Sequence, residues 1–211
     1  VRKLRTVIPI DPSGAAGWRL AINLNGDIST TSSGTAIYAI SNAGITTYSL
    51  TGASAMDSIW STYRIAAIKF RYFPEVNVEQ VDGTATGVFS PFYITYDSDG
   101  HEIDITAANV ADMIASPKVT VKNMFRPWSY YVKTLKYPIR HKYPMANPND
   151  SITTNNVNMA GQWHSGGNSI GTLPTAYSSH IHMLTTCPSG QNSIGRMVVT
   201  AYVTYKDIYT S

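Results

Sequence analysis

The sequence predicts an all-β protein, an eight-stranded antiparallel jelly-roll sandwich with long loops and at most one or two short helices. Three observations lead there. The chain has 14 tyrosines with abundant Thr, Ile, Val and Ser, side chains that suit a pleated, half-buried surface. Segments of alternating apolar and polar character recur along all 211 residues, divided by clusters of Gly, Pro, Asn and Asp. No alternation of strands with helices of the βα kind is visible, so the strands must close on one another as an antiparallel sandwich.

Taken in order, "TVIPI" (Thr6 to Ile10) and "WRLAINL" (Trp18 to Leu24) alternate as strands, with Pro and Gly turns between them. Residues 25–58 are rich in Gly, Ser, Thr and Ala and read as long loops or edge strands, with strand-like pieces in "TAIYAI" and "TTYSL". "IWSTYRIAAIKFRYFPE" (Ile59 to Glu75) is the longest alternating run, and Pro74 stops it. Its pattern puts Ala66, Ile68, Phe70 and Tyr72 on one face and Ile65, Ala67, Lys69, Arg71 and Phe73 on the other. "GVFSPFYITYDSDG" gives a strand ending in an Asp/Gly turn. "TAANVADMIASP" is the one plausible helix: Thr106 caps it, Val110, Met113 and Ile114 share a face, and Pro117 ends it. Strands resume in "KVTVKN", "WSYYVKTLKYPIRH", "NMAGQWH", "SSHIHMLTTC" and "GRMVVTAYVTYKDIY", interrupted by the Asn-rich loop "ANPNDSITTNNVN". In "KVTVK", Lys118, Thr120 and Lys122 are expected outward and Val119 and Val121 inward.

Nothing marks a boundary, so residues 1–211 are read as one domain, long enough for a sizeable core. With 43% apolar and 14% charged residues the chain folds rather than remaining disordered. Cys187 is the single cysteine, which excludes an internal disulfide and a cysteine-based zinc site. No apolar run approaches the ~20 residues of a membrane helix, so membrane insertion is not expected. The opening "VRKLRT" is no signal peptide, and the missing initiator Met suggests a longer N-terminus upstream of Val1.

Charge is segregated. Tyr72 to Pro117 holds eight acids and no Lys or Arg, whereas Met113 to Asn149 holds seven bases and no acid. This pattern is either ordinary surface solubility or a device by which copies meet acid to base, or face a polyanion. Lys69 with Arg71, and Lys118 with Lys122, sit at alternate strand positions, a cationic sheet surface suited to phosphates. Trp60, Tyr63, Trp128, Tyr130 and Tyr131 are candidate stacking platforms for unpaired bases. "DSDGHEID" places Asp97, Asp99, Glu102 and Asp104 within eight residues, but it departs from the EF-hand pattern. A plain turn competes there with a weak cation site at Asp97 and Asp99. His180 and His182 share a strand face, yet zinc would need further ligands. No GxSxG, HExxH, phosphate-binding Gly loop or CxxC is present, so neither catalysis nor a cofactor is expected. Two other functional classes compete with the polyanion surface. One is a carbohydrate-binding sandwich using Trp60, Trp128 or Trp163, and the other a sandwich hydrolase using the acidic block. "NDS" at Asn149 matches a glycosylation acceptor that would be used only in a secreted chain.

Several of these pieces, in order, carry a resemblance. "YRIAAIKFRYFPE" resembles a strand of small icosahedral viral coat proteins, and "FYITYDSDG" their next strand and acidic turn. "SPKVTVKNMFRPWSYYVKTLKYP" is similar to their basic strand, "RPW"-like corner and following strand, and "GRMVVTAYVTYKDI" to their closing strand. Order and spacing over residues 59–140 and 195–209 fit best the capsid proteins of circular single-stranded DNA viruses of the circovirus-like kind. The resemblance implies a single jelly roll that self-assembles, without enzymatic activity, into an icosahedral shell around single-stranded DNA. Closed symmetry at this chain size implies the smallest shell (T=1), about sixty copies. Residues 1–6 would be the remnant of an Arg-rich arm that enters the interior and carries nuclear targeting. Arg2, Lys3 and Arg5 are then expected on the genome, with Lys69, Arg71, Lys118 and Lys122 as further phosphate contacts. The virion, and the host nucleus during assembly, are the implied locations, and a host-cell surface receptor is a candidate partner. Residues 25–58 and 144–179 would form inter-subunit loops or the exterior. Small single-stranded RNA and satellite viruses use the same fold, which leaves the genome chemistry open.

Overall fold

The computed structural model describes residues 1–11, 17–24, 28, 37–41, 44–75, 89–97, 110–115, 118–133, 164–165, 180–186 and 193–208. The elements run β1 (Arg2–Ile10), β2 (Trp18–Asn23), β3 (Ile37–Ser41), β4 (Gly44–Tyr48), α1 (Ala53–Asp57), β5 (Trp60–Pro74) and β6 (Phe92–Asp97). They continue with α2 (Val110–Ala115), β7 (Thr120–Lys122), β8 (Trp128–Lys133), β9 (His164–Ser165), β10 (His180–Thr185) and β11 (Gly195–Ile208). One sheet has the order β1-β11-β5-β8, with β9 pairing β5; the other has the order β4-β3-β2-β10-β6-β7. Every ladder is antiparallel. Eight strands form four nested pairs, β1 with β11, β2 with β10, β5 with β8 and β6 with β7. That wrapping is the jelly roll. The strands β3, β4 and β9 are short additions to it.

The sheets are held face to face by side chains at alternate positions. Leu4, Ile8 and Ile10 of β1 join Met197, Val199, Ala201 and Val203 of β11 and Ile68, Phe70 and Tyr72 of β5 in the core. The opposing sheet supplies Trp18, Leu20, Ile22, Phe92, Ile94, Ile181 and Met183. Phe92 is the aromatic hinge between the layers. Its ring lies edge-on to Tyr72 at 4.7 Å, to Trp128 at 5.3 Å and to Trp18 at 6.5 Å. Such pairs add ~0.5–1.5 kcal/mol each beyond area burial. The Tyr72 hydroxyl donates to the Ile194 carbonyl at 3.0 Å. Gly195 makes that approach possible: its φ is 156°, and a Cβ there would meet Tyr72 Cε2 at 2.7 Å and also strike the Phe73 carbonyl oxygen.

Three expectations about which side chains face inward are corrected. In β5 the phase changes once, because Ala67 pairs with Tyr202 and Ile65 with Val203, leaving Ala66 as an extra residue. This is a β-bulge. Ile68, Phe70 and Tyr72 are buried as expected, but so are Tyr63 and Ile65. Strict alternation had placed Ile65 with Lys69 and Arg71. In β7 the expected orientation is reversed. Thr120 and Lys122 pair with the core residues Ile94 and Phe92 and share their face, whereas Val121 points away and is 53% exposed. In α2, Met113 is buried but Ile114 is exposed, so the two do not share an inward face. Thr106 and Pro117, the expected ends of that helix, lie outside the described residues. The long loop region 25–58 contains β3, β4 and α1.

Candidate nucleic-acid interface

The outward face of the β1-β11-β5-β8 sheet can be read row by row from its pairing, because directly opposed residues point the same way. Lys3 stands opposite Tyr202, Tyr202 opposite Ala67, and Ala67 opposite Lys133. The next outward row is Arg5, Thr200, Lys69 and Tyr131, and the one after it Val7, Val198, Arg71 and Ser129. A last row holds Pro9, Arg196 and Phe73. Strands ~4.8 Å apart and alternate residues ~6.7 Å apart place Lys3, Arg5, Lys69, Arg71, Lys133 and Arg196 on one surface.

Only one of these six cations is neutralised among the described residues. Arg196 Nε meets Glu75 Oε1 at 2.6 Å, and Ser193 Oγ donates to Glu75 Oε2 at 3.2 Å. Lys3, Arg5, Lys69, Arg71 and Lys133 have no carboxylate partner among the described residues. Two of them lie against rings instead, Lys3 Nζ 5.7 Å from the centre of Tyr202 and Arg71 Cζ 5.1 Å from that of Phe73. Thr200, buried in the middle of β11, separates the Arg5 and Lys69 side chains. Five cations with no carboxylate partner among the described residues, gathered on one sheet face, make a positive surface that attracts a polyanion and releases its counterions.

The structure thus brings together four of the seven expected phosphate contacts, Lys3, Arg5, Lys69 and Arg71. It does not bring the other three there. Arg2 is opposite Val203 and points to the inner side of β1, exposed at the start of the strand. Lys122 ends the edge strand β7 of the opposing sheet, and Lys118 lies in the turn before that strand. Arg196 and Lys133 are additions that local pattern did not single out, since they reach this face only through pairing with distant strands. Asp97 ends β6, and Asp99 lies outside the described residues. No group of three or more His, Cys, Asp or Glu side chains among the described residues is placed to hold a metal. His182 is buried in β10, cross-strand from Thr95 and Ala21.

The aromatic candidates divide in the same way. Tyr63 is buried, Trp128 packs on Tyr72 and Phe92, and Tyr130 stacks on Phe70 at 6.3 Å, all on the inner side of their sheet. Tyr131 faces outward, 48% exposed, with Phe73 at 41%, and Trp60, half-buried at the start of β5 opposite Ile208, falls on the outward phase as well. Trp128 is therefore no open sugar platform, and Trp163 lies outside the described residues.

No protein-family model matches the chain, and no curated protein sequence matches it. Solved structures do. The Tobacco necrosis virus structure superposes with a TM-score of 0.55 at 7% identity, covering 99% of this chain and 97% of that one. Cocksfoot mottle virus gives 0.54 at 8% identity, covering 98% and 94%. Melon necrotic spot virus gives 0.53 at 11% identity, and here the chain spans 56% of that protein's length. At such identities the likeness is one of fold, the antiparallel jelly roll that the strand order already shows. The expected jelly roll is met; the expected circovirus-like kinship finds no counterpart in these matches. No helix among the described residues is long and apolar enough to cross a membrane.

Proposed function

We propose that the chain is the coat protein of a small icosahedral virus. Copies of it associate into a closed shell, and the basic face of the β1-β11-β5-β8 sheet contacts a packaged nucleic acid. The observation that carries this reading is the nested pairing of eight strands combined with five cations on one outward sheet face that have no carboxylate partner among the described residues. The end-to-end likeness to Tobacco necrosis virus and Cocksfoot mottle virus supports it. Closed symmetry requires multiples of sixty copies, and the reading takes the smallest shell, about sixty. The residue-level resemblance favours single-stranded DNA and a nuclear phase. The structural neighbours are capsids of single-stranded RNA viruses, which favours the RNA alternative. The chemistry common to both is a single-stranded polyphosphate, and a shell coat needs no catalytic residue. Electron microscopy of purified protein tests the assembly. Uniform spheres are expected, and their extracted nucleic acid is identified by its sensitivity to DNase or RNase. A monodisperse monomer under all salt and pH conditions would sink the coat-protein reading.

A further inference from the structure

On the basic sheet face the exposed rings are interleaved with the cations rather than set apart from them. Tyr131 stands directly opposite Lys69 on the neighbouring strand, and Lys133 follows it two residues along β8. Phe73 lies two residues beyond Arg71 on β5, whose guanidinium reaches its ring. Tyr131 also meets Tyr202 edge-on at 5.9 Å and 80°, so its own ring is braced upright while 48% of the residue stays open. Large aromatics left open on a charged sheet are unfavourable for solubility alone, where Thr, Ser or another Lys would serve. A purely electrostatic surface needs no rings. A surface for unpaired nucleic acid needs both, cations along the sugar-phosphate track and flat apolar faces for the bases beside it.

We infer that Tyr131, with Phe73 as a second platform, stacks on unpaired bases of a single-stranded nucleic acid whose phosphates lie over Arg5, Lys69 and Arg71. This deepens the polyanion reading of the same face and rests on it. Base stacking makes the face selective for single strands over duplexes, because a duplex hides its base faces. It carries little sequence preference, because every base has a π-face. Stacking strength and charge are then separable. The cations set the salt dependence, and the rings set the discrimination between a strand with bases and one without.

The test uses the full chain and two probes of equal length and charge: an oligonucleotide and the same backbone with abasic sites. Wild type is expected to bind the oligonucleotide about tenfold more tightly than the abasic strand, within the range that one or two stacked bases supply. Tyr131→Thr combined with Phe73→Thr keeps β-forming residues at exposed positions. It should reduce that ratio to near one with the salt slope unchanged. Lys69→Gln should lower the salt slope by about 0.7 and keep the ratio. Equal binding of intact and abasic strands by wild type would overturn the inference while leaving the basic face a polyanion surface. So would a ratio that survives the double substitution. Binding of neither strand in a salt-dependent manner would instead remove the polyanion reading, and the inference with it.

Discussion

At the scale of single residues, Tyr72 ties the core to the chain's turn into β11. Its ring sits among Phe92, Trp128 and Met197, and its hydroxyl donates to the Ile194 carbonyl. Burial, and secondarily the Glu75 charge, raise its phenol well above the ordinary value of 10.0. An unfolded chain therefore loses this proton before the folded one does. The contribution of Tyr72 to stability is complete below pH 10 and is lost as pH rises above it. Tyr72→Phe is expected to cost about 1 kcal/mol at neutral pH through the lost hydrogen bond. The gap between variant and wild type should narrow above pH 10, since phenylalanine has no proton to lose. Urea denaturation at a series of pH values measures both effects. Tyr205, raised by burial and by Asp57, titrates alike in both proteins and does not alter the comparison.

At the scale of elements, β5 shows what alternation can and cannot reveal. From Ile68 to Tyr72 the apolar and basic positions separate cleanly, and Lys69 and Arg71 are readable as one face from the sequence itself. The bulge at Ala66 is invisible there, because two adjacent alanines fit either face and only the partner strand β11 reveals the extra residue. Inserting one Ala between Tyr202 and Val203 would give Ala66 a partner, abolish the bulge and put Tyr63, Ile65 and Val203 on the side of Lys69 and Arg71. The expected result is loss of cooperative unfolding and of soluble yield, read by circular dichroism and thermal melts. Unchanged melting would show that the bulge is dispensable. β7 failed for a different reason. In "KVTVK" alternation makes the valines the inward set, but a three-residue edge strand buries little, and its phase is fixed by pairing with Phe92 and Ile94. The basic face was legible only where its residues are neighbours in sequence. Lys3 joins Lys133, and Arg5 joins Tyr131, across four strands drawn from both ends of the chain.

At the scale of the whole molecule, the two sides of the β1-β11-β5-β8 sheet separate stability from binding. The inner side is sealed by apolar residues, so charge on the outer side can change without disturbing the core. Lys69→Glu with Arg71→Glu is accordingly expected to leave the melting temperature within a few degrees of wild type, because exposed substitutions seldom exceed about 0.5 kcal/mol. If the chain is the coat protein we propose, shells of this variant should form but carry much less nucleic acid, measured as the ratio of absorbance at 260 and 280 nm in purified particles. Full loading would place the genome contacts elsewhere. The nested pairing also orders events in time. β1 is laddered along β11, from Arg2 against Val203 to Ile10 against Gly195, so an early strand must wait for a late one to leave the ribosome. Such long-range closure is slow, on the order of milliseconds to seconds for β-sandwiches. Until it happens, Lys3 and Arg5 are not joined to Lys69 and Arg71. A chain broken off during synthesis therefore lacks the assembled positive face, and only finished copies can present it to a polyanion.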